Sequence, residues 1–405
     1  HRDLHSFPTR RSSDLEYLAN LRSSMNNLAK GVLRPVARKY DEAEHEYPKE
    51  LDLFRGMQIM GRPKKKKEGA ANDSGNGKPK KGINLSTVAT IEEMCWGDAG
   101  LLLSIPNAGL GNAAIAAVAT DEQLERFGGK WAAMAITEPG SGSDSGSITT
   151  TAVLDGDEWV LNGEKIFVTC ADRCDAVVVW ATVDRKAGKS GIKSFIVEKG
   201  TPGFRLEHLE HKLGIRASDT GTFVLDNCRI PKNNILGSAE VKQDTEGFKG
   251  VMKTFDNTRP MVASMATGIA RAALDFLREK MEESGIPLDY EKNPENASAL
   301  QKEFHMMEAQ LEAMRLLVWR AAWMADNEEF NNVEASMAKA KAGRCGTLIT
   351  QKCCELLGPL GFSRKELAEK WMRDSKIMDI FEGTGQIQHL IIARNVLEMS
   401  SKELK

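Results

Sequence analysis

The stretch KIMDIFEGTGQIQHL, Lys376 to Leu390, decides how the rest of the chain is read. It opens as a strand-like or helical apolar run and breaks at Phe381-Glu382-Gly383-Thr384-Gly385. It resumes as a helix with Ile387, Leu390 and Ile391 on one face. A carboxylate flanked by an aromatic ring and two glycines is poorly placed for a solvated helix surface. Glycine permits a sharp turn and close approach of backbone to a ligand, and Thr384 can cap the helix that follows. The residues alone leave two readings: a corner between helices with a charged tip, or a corner built around a functional carboxylate.

Working outward, the chain falls into three blocks after a leader. Residues 1–15, HRDLHSFPTRRSSDL, resemble the translation of a sequencing adapter and are set aside as an artefactual leader, which implies that the native N-terminus is missing. Residues 16–130 read as helical, with Leu18, Leu21, Met25, Leu28, Val32 and Val36 recurring every three or four positions. Residues 131–240 change period. Short β-rich runs at 159–161, 166–169, 176–183, 194–197 and 222–225 are separated by Gly and Asp turns, as in an antiparallel sheet or barrel. Residues 241–405 are helical again, and Leu300, Phe304, Met307, Leu311, Met314 and Leu317 line one face of a long helix. Helix, sheet and helix in separate blocks predict an α+β fold rather than a doubly wound sheet.

Residues 61–82, GRPKKKKEGAANDSGNGKPKKG, interrupt the first block with eight Lys or Arg against one Glu and one Asp. Such a segment buries too little apolar surface to fold alone, so a solvated basic insertion is expected. Contact with an acidic partner or with the phosphates of a ligand is the sharper alternative.

Composition bounds the function. Hydrophobic content of 41% and charged content of 28% are those of a globular chain. No apolar run approaches the ~18 residues of a membrane span. A net charge of −2 argues against a nucleic-acid binder. Seven cysteines, an odd number in a long chain, favour a reducing compartment over a disulfide framework, and the cytoplasm is the expected location. Gly109-Leu110-Gly111-Asn112-Ala113-Ala114 imitates a dinucleotide fingerprint but lacks a βαβ unit around it. His208 with His211, and Cys170 with Cys174, have ligand-like spacing without a second pair, so no metal site is expected. Cys353-Cys354 is expected to pack inside a helix.

The middle block carries Ala135-Ile136-Thr137-Glu138-Pro139-Gly140-Ser141-Gly142-Ser143-Asp144, a strand leading into a glycine- and hydroxyl-rich loop. Its backbone N–H groups can form an anion-binding concavity, and Thr137, Ser141 and Ser143 can add hydroxyl donors. A plain turn between strands is equally compatible with the residues.

Together with the 376–390 stretch, this loop resembles the acyl-CoA dehydrogenase family. FEGTGQIQ is similar to the family's E-G-T-x-Q-I-Q segment, and the 135–144 loop to its T-E-P-x-x-G-S-D loop. LNGEKIFVTCA (161–171), HKLGIRASDTGTFVLDNCRIPKNNILG (211–237) and FDNTRP (255–260) resemble further family segments. The resemblance implies an N-terminal helical domain, a middle antiparallel β-domain and a C-terminal four-helix bundle. It implies FAD as cofactor, held by Ala135, Ile136, Thr137, Gly142 and Ser143, with Phe167 to Thr169 along the isoalloxazine. Thr384, Gly385 and Gln386 would meet the adenosine side. Ser143, Phe255, Asp256, Thr258, Arg259 and Gly383 would touch acyl-CoA. Glu382 would be the catalytic base. Some branches carry the base at the position of Thr258, which cannot serve.

The implied reaction is α,β-dehydrogenation of an acyl-CoA to a trans-2-enoyl-CoA, with electrons passed to an electron-transfer flavoprotein. Rival readings are an acyl-CoA oxidase, or a DNA-associated or non-catalytic subunit of the same fold. The sequence departs from the family in places. Phe167 and Phe381 replace the usual Trp and Tyr. The family's Arg-x-x-Phe, which reaches a neighbouring subunit's FAD, has no counterpart between Lys280 and Gln301. Its Gln-x-x-Gly-Gly becomes Glu355-Leu356-Leu357-Gly358-Pro359. These losses admit either a homotetramer or an α2β2 assembly with a related chain.

Overall fold

The computed structural model describes residues 12–54, 82–106, 110–241, 246–291, 293–400 and 403. The basic insertion therefore lies outside the described residues except for Gly82, as does most of the leader. Helix α1 (Ser12–Leu28) takes in the last four residues of the expected leader. It runs into a π-helical turn at Ala29–Leu33 and a 3-10 turn at Arg34–Val36, where Pro35 interrupts the regular ladder. Helices α2 (Ala37–Glu42), α3 (Ile83–Gly97), α4 (Ala99–Leu103), α5 (Leu110–Val118) and α6 (Asp121–Phe127) complete the first block. The fingerprint-like glycine motif opens α5 and has a packing role instead. A Cβ on Gly111 would come 2.2 Å from the carbonyl oxygen of Ala133, so only glycine lets this helix lie against the sheet.

The middle block is one seven-stranded sheet: β1 (Ala132–Ala135), β2 (Thr151–Asp155), β3 (Glu158–Thr169), β4 (Ala176–Thr182), β5 (Ile192–Glu198), β6 (Phe204–Leu209) and β7 (Thr220–Pro231). Its order is β1-β4-β2-β3-β7-β6, with β5 also paired to β4. Most pairings are antiparallel as expected, but β1 and β2 each run parallel to β4. Two expected runs are one strand, β3, whose register against β7 shifts between Leu161 and Gly163 and again between Lys165 and Val168. Bulges of this kind re-aim side chains beside functional sites.

The third block holds α7 (Glu246–Glu283), α8 (Ala299–Asp326), α9 (Asn332–Leu356), α10 (Ala368–Ser375) and α11 (Gly385–Val396). The expected face of α8 packs inward: Phe304, Met307, Leu311 and Met314 are buried, and Leu300 and Leu317 pack partly buried beside them. Apolar residues of α1, α3, α7, α8 and α9 share one core. Cys353 and Cys354 are free and buried in it.

One buried ionic junction fixes the three blocks relative to one another. Lys370 Nζ lies 2.5 Å from both Asp98 Oδ2 at the start of α4 and Asp374 Oδ2 on α10. Asp374 also accepts the backbone N–H of Ile215, 2.6 Å away, from the middle block. Burial of such a cation is tolerated because both anions and the N–H satisfy one another.

Candidate active site

The stretch 376–390 forms a 3-10 turn at Lys376–Asp379, a strained corner and then α11. Glu382 has φ +55° and Gly383 φ +90°, two successive left-handed residues. For glutamate this conformation is uncommon and marks a site that the surroundings hold in place. Thr384 caps α11, its hydroxyl accepting the Ile387 N–H. Gln388 Nε2 donates to the Gly383 carbonyl at 3.1 Å and closes the corner. A Cβ on Gly383 would come 2.5 Å from that amide nitrogen, and one on Gly385 2.5 Å from Asp379 Oδ1. The left-handed φ calls for glycine at 383, and a side chain at 385 would have to displace the Asp379 carboxylate.

Glu382 keeps some surface at the corner, but its carboxylate reaches into protein, where it accepts a hydrogen bond from Thr258 Oγ1 at 3.0 Å. Burial pushes its pKa above the ordinary carboxylate value. The Thr258 hydroxyl and the charges of Lys339 and Arg259 pull the other way without cancelling it. The structure thus brings Thr258, Arg259, Glu382 and Gly383 to one corner, with Thr258 and Arg259 both buried on α7. Phe255 and Asp256 lie on the same helix, and their side chains are outside the described residues.

The loop 135–144 is anchored from beneath by a residue the sequence did not single out. Glu138 Oε1 accepts from Lys165 Nζ at 2.7 Å, Thr150 Oγ1 at 2.6 Å and Thr150 N at 3.0 Å. Its Oε2 accepts from Thr149 N at 2.6 Å and Thr149 Oγ1 at 2.7 Å. Burial alone would raise the Glu138 pKa, but Lys165 and the threonine donors outweigh it and hold the carboxyl at about 2. Lys165 is fully buried and also donates to the Ile136 carbonyl at 3.2 Å. Ser141 departs from expectation. It is buried, and its hydroxyl is spent on the Asp144 carbonyl at 2.6 Å, closing the turn rather than facing a ligand. Gly142 and Ser143 are exposed.

Beside this loop, the Ile166 N–H donates to the Thr137 carbonyl at 2.9 Å, so β3 and the loop travel together. Phe167 follows with φ +58° and 61% of its surface exposed, while Val168 turns into the core and Thr169 is half-buried. An aromatic ring held out by a strained backbone, next to a hydroxyl-bearing turn with open glycines, fits a flat polyaromatic cofactor better than it fits solvent. Gly385 and Gln386 form the first turn of α11, whose N–H groups suit an anionic or polar ligand edge.

Metal ligation has one geometric candidate among the described residues, Glu44, His45 and His211. Glu44 is already occupied: it accepts from His211 Nδ1 at 3.0 Å, Lys212 N at 2.8 Å and Arg216 at 3.0 Å. A carboxylate so surrounded by donors is the centre of an ion-pair cluster. His208 pairs instead with Glu210 at 3.0 Å.

The chain thus carries a helical block, a sheet with an aromatic ledge, and a bundle that holds one raised-pKa carboxylate at a strained corner. The chain belongs to the acyl-CoA dehydrogenase family. It matches the acyl-CoA dehydrogenase N-terminal domain over residues 16–135, the middle domain over 133–228 and the C-terminal domain over 245–397. It is 37% identical over 393 residues to the mitochondrial short-chain specific acyl-CoA dehydrogenase of Bos taurus, covering 93% of this chain and 89% of that one. It is 34% identical to the caffeyl-CoA reductase–Etf complex subunit CarC of Acetobacterium woodii, covering 93% and 99%. Butyryl-CoA dehydrogenase from Megasphaera elsdenii superposes with a TM-score of 0.81 at 29% identity, covering 96% of this chain and 100% of that one. Among the described residues no helix is long and apolar enough to cross a membrane.

Proposed function

We propose that this chain oxidises an acyl-CoA thioester to a trans-2-enoyl-CoA with Glu382 as the catalytic base. The observation that carries the reading is the Glu382 carboxylate, buried, raised in pKa and held by Thr258 at a corner strained in favour of that position. A proton α to a thioester is too weakly acidic for an ordinary exposed carboxylate to remove. Burial strengthens the base, and the Glu382 N–H would donate to the thioester oxygen, where negative charge develops. The α-proton goes to the Glu382 carboxylate and the β-hydrogen leaves as hydride, so the substrate loses one hydrogen molecule in all. Bound FAD supplies the hydride acceptor. Thr137, Gly142, Ser143, Phe167 and Thr169 would hold its ring and pyrophosphate. Thr384, Gly385 and Gln386 would meet the adenosine side.

The likeness to the bovine short-chain enzyme and to butyryl-CoA dehydrogenase supports a short acyl chain. The likeness to CarC supports an electron-transfer flavoprotein as electron acceptor. Mixing the FAD-loaded protein anaerobically with a series of acyl-CoAs of increasing length tests both chemistry and preference. Flavin bleaching strongest with short chains is expected, and no bleaching by any acyl-CoA would end the reading. Rapid reoxidation by O2 without a protein acceptor would instead favour the oxidase.

We further infer an α2β2 assembly in which a related chain completes the FAD site. The altered stretch at the end of α9 carries Glu355, still in the helix, whose carboxylate pairs with Lys352 at 2.9 Å, and just beyond it Pro359, which has no N–H to offer a phosphate. Of the two local substitutes for the absent Arg-x-x-Phe, Tyr290 has its hydroxyl 3.0 Å from both Glu308 oxygens, and Lys292 lies outside the described residues.

A further inference from the structure

Helix α9 buries an almost uninterrupted stripe of small residues: Ala335, Ala338, Ala342, Gly343 and Gly346. Lys339 stands in the middle of it, and none of its surface is exposed. Among the described residues its Nζ has no hydrogen-bond partner. An unpartnered buried ammonium is costly. Ordinary packing would favour an alanine, as at the neighbouring positions.

Where the side chain lies follows from the helix period. Gly343, one turn further along the same face, packs directly under the 376–379 turn. A Cβ there would come 2.8 Å from the Asp379 Cα and 3.0 Å from both its Oδ1 and the Met378 carbonyl. Lys339 is four residues earlier on that stripe, so its side chain runs beneath the corner that carries Glu382. The charged groups around its ammonium are Asp379 from the 3-10 turn, Glu382 from the corner and Arg259 from α7. Glu382 in turn is surrounded by Lys339, Arg259 and the Thr258 hydroxyl.

We propose that Lys339 is a positioning residue for the base: a buried cation that acts on Glu382 through space, keeping it ionised without bonding to it. The arrangement resolves a conflict in the site. A fully buried carboxylate tends to hold its proton and so cannot accept one from substrate. A direct ion pair would ionise it but would occupy the oxygen that must take the α-proton. A positive charge close by, yet without a hydrogen bond, favours the anion and leaves that oxygen free. The Thr258 hydroxyl bonds to Glu382 at Oε2. The Lys339 pKa, lowered by burial to about 8 against the pull of Asp379 and Glu382, leaves the ammonium charged at neutral pH.

This inference rests on the reading of Glu382 as the base, and its test separates the two. Lys339→Met and Lys339→Gln remove the charge, and Lys339→Arg keeps it. In each FAD-loaded protein the rate of flavin bleaching by acyl-CoA is followed against pH. In parallel, the infrared carboxyl band that disappears in Glu382→Gln is titrated without substrate. A nearby opposite charge moves a carboxyl by about 1–3 pH units. Both neutral variants should therefore shift the acid limb and the infrared titration upward by about one unit or more. Below the limb, bleaching should slow about tenfold or more, with acyl-CoA affinity unchanged above it. Lys339→Arg should stay near the wild type. A folded, FAD-loaded Lys339→Met with an unmoved infrared titration overturns the proposal. So does failure of both neutral variants to fold while Lys339→Arg folds, because the charge would then serve the fold. Absence of bleaching in the wild type would defeat the dehydrogenase reading, and the infrared titration would still decide the role of Lys339.

Discussion

At Glu382 two unfavourable features coincide, a left-handed backbone and a carboxylate removed from water. Glu382→Gln keeps the shape and removes the proton acceptor, so FAD should remain bound while substrate bleaching slows by ~10²–10⁴-fold. The same variant has a signature in stability. A carboxyl whose pKa is raised on folding binds its proton more tightly folded than unfolded, so its ionisation weakens the fold above the folded pKa. That penalty disappears as pH falls towards the unfolded value, about 4.3. Glu382→Gln should thus melt above the wild type at neutral pH, and the gap should close on acidification. Equal melting temperatures across that range would contradict the raised pKa. Phe167 gives the converse case. Its ring is mostly in solvent, so Phe167→Ala should change the stability of the FAD-free protein by no more than about 0.5 kcal/mol. Loss of FAD from the same variant on dilution or dialysis, against retention in the wild type, is the expected functional effect. The corner at Glu382 was legible because its motif is local, a run of residues that only makes sense as a turn. Lys339 was not, since a lysine in a helix reads as a solvated surface residue. Its place among Ala335, Ala342 and Gly343, each three or four residues away, was the signal that could have found it.

Among the elements, the sheet shows where periodicity fails. The runs at 159–161 and 166–169 looked like separate strands because Asn162-Gly163 reads as a turn. Instead β7 pairs along the whole of β3 and absorbs the break as a bulge. Strands β2 and β6 passed unnoticed: Thr151–Asp155 is largely exposed and polar at its end, and Phe204–Leu209 alternates charged residues with apolar ones at an edge. The 135–144 loop was legible as a glycine- and hydroxyl-rich turn after a strand, but its anchor was not, because Lys165 lies 27 residues from Glu138 in sequence. That anchor is testable. Glu138→Ala leaves Lys165 buried without its carboxylate, which should cost about 3–5 kcal/mol and release FAD with the loosened loop. A melting temperature within a degree or two of the wild type would show that the pair does not hold the loop. The basic insertion makes the opposite prediction. Its composition gives it no core to contribute, so deleting residues 62–81 should leave folding and FAD content nearly unchanged. A raised KM for acyl-CoA with weaker salt dependence would identify it as a contact for the CoA phosphates.

For the whole molecule, the three blocks meet at the Asp98–Lys370–Asp374 junction and share a core across the helical blocks, so a single chain can hold the corner and the loop in register. FAD needs more than that if the site spans two chains, as the family resemblance implies. This chain keeps what it would use on its own flavin, the 137–143 loop, Phe167 and Glu382. It lacks what it would lend to a neighbour. Losing one charge-assisted contact to a phosphate costs roughly 1.5–3 kcal/mol, and two such losses would weaken FAD binding by roughly a hundredfold or more. Neither replacement would offer relief: Glu355 is an anion already paired with Lys352, and Tyr290 is turned to Glu308. The chain expressed alone should therefore hold well under one FAD per subunit. Co-expression with a related chain that retains the arginine and the Gln-x-x-Gly-Gly loop should restore it. Flavin absorbance per subunit, measured together with mass in solution, checks this directly. A homotetramer carrying one FAD in every chain would show that the site is complete without a second gene product.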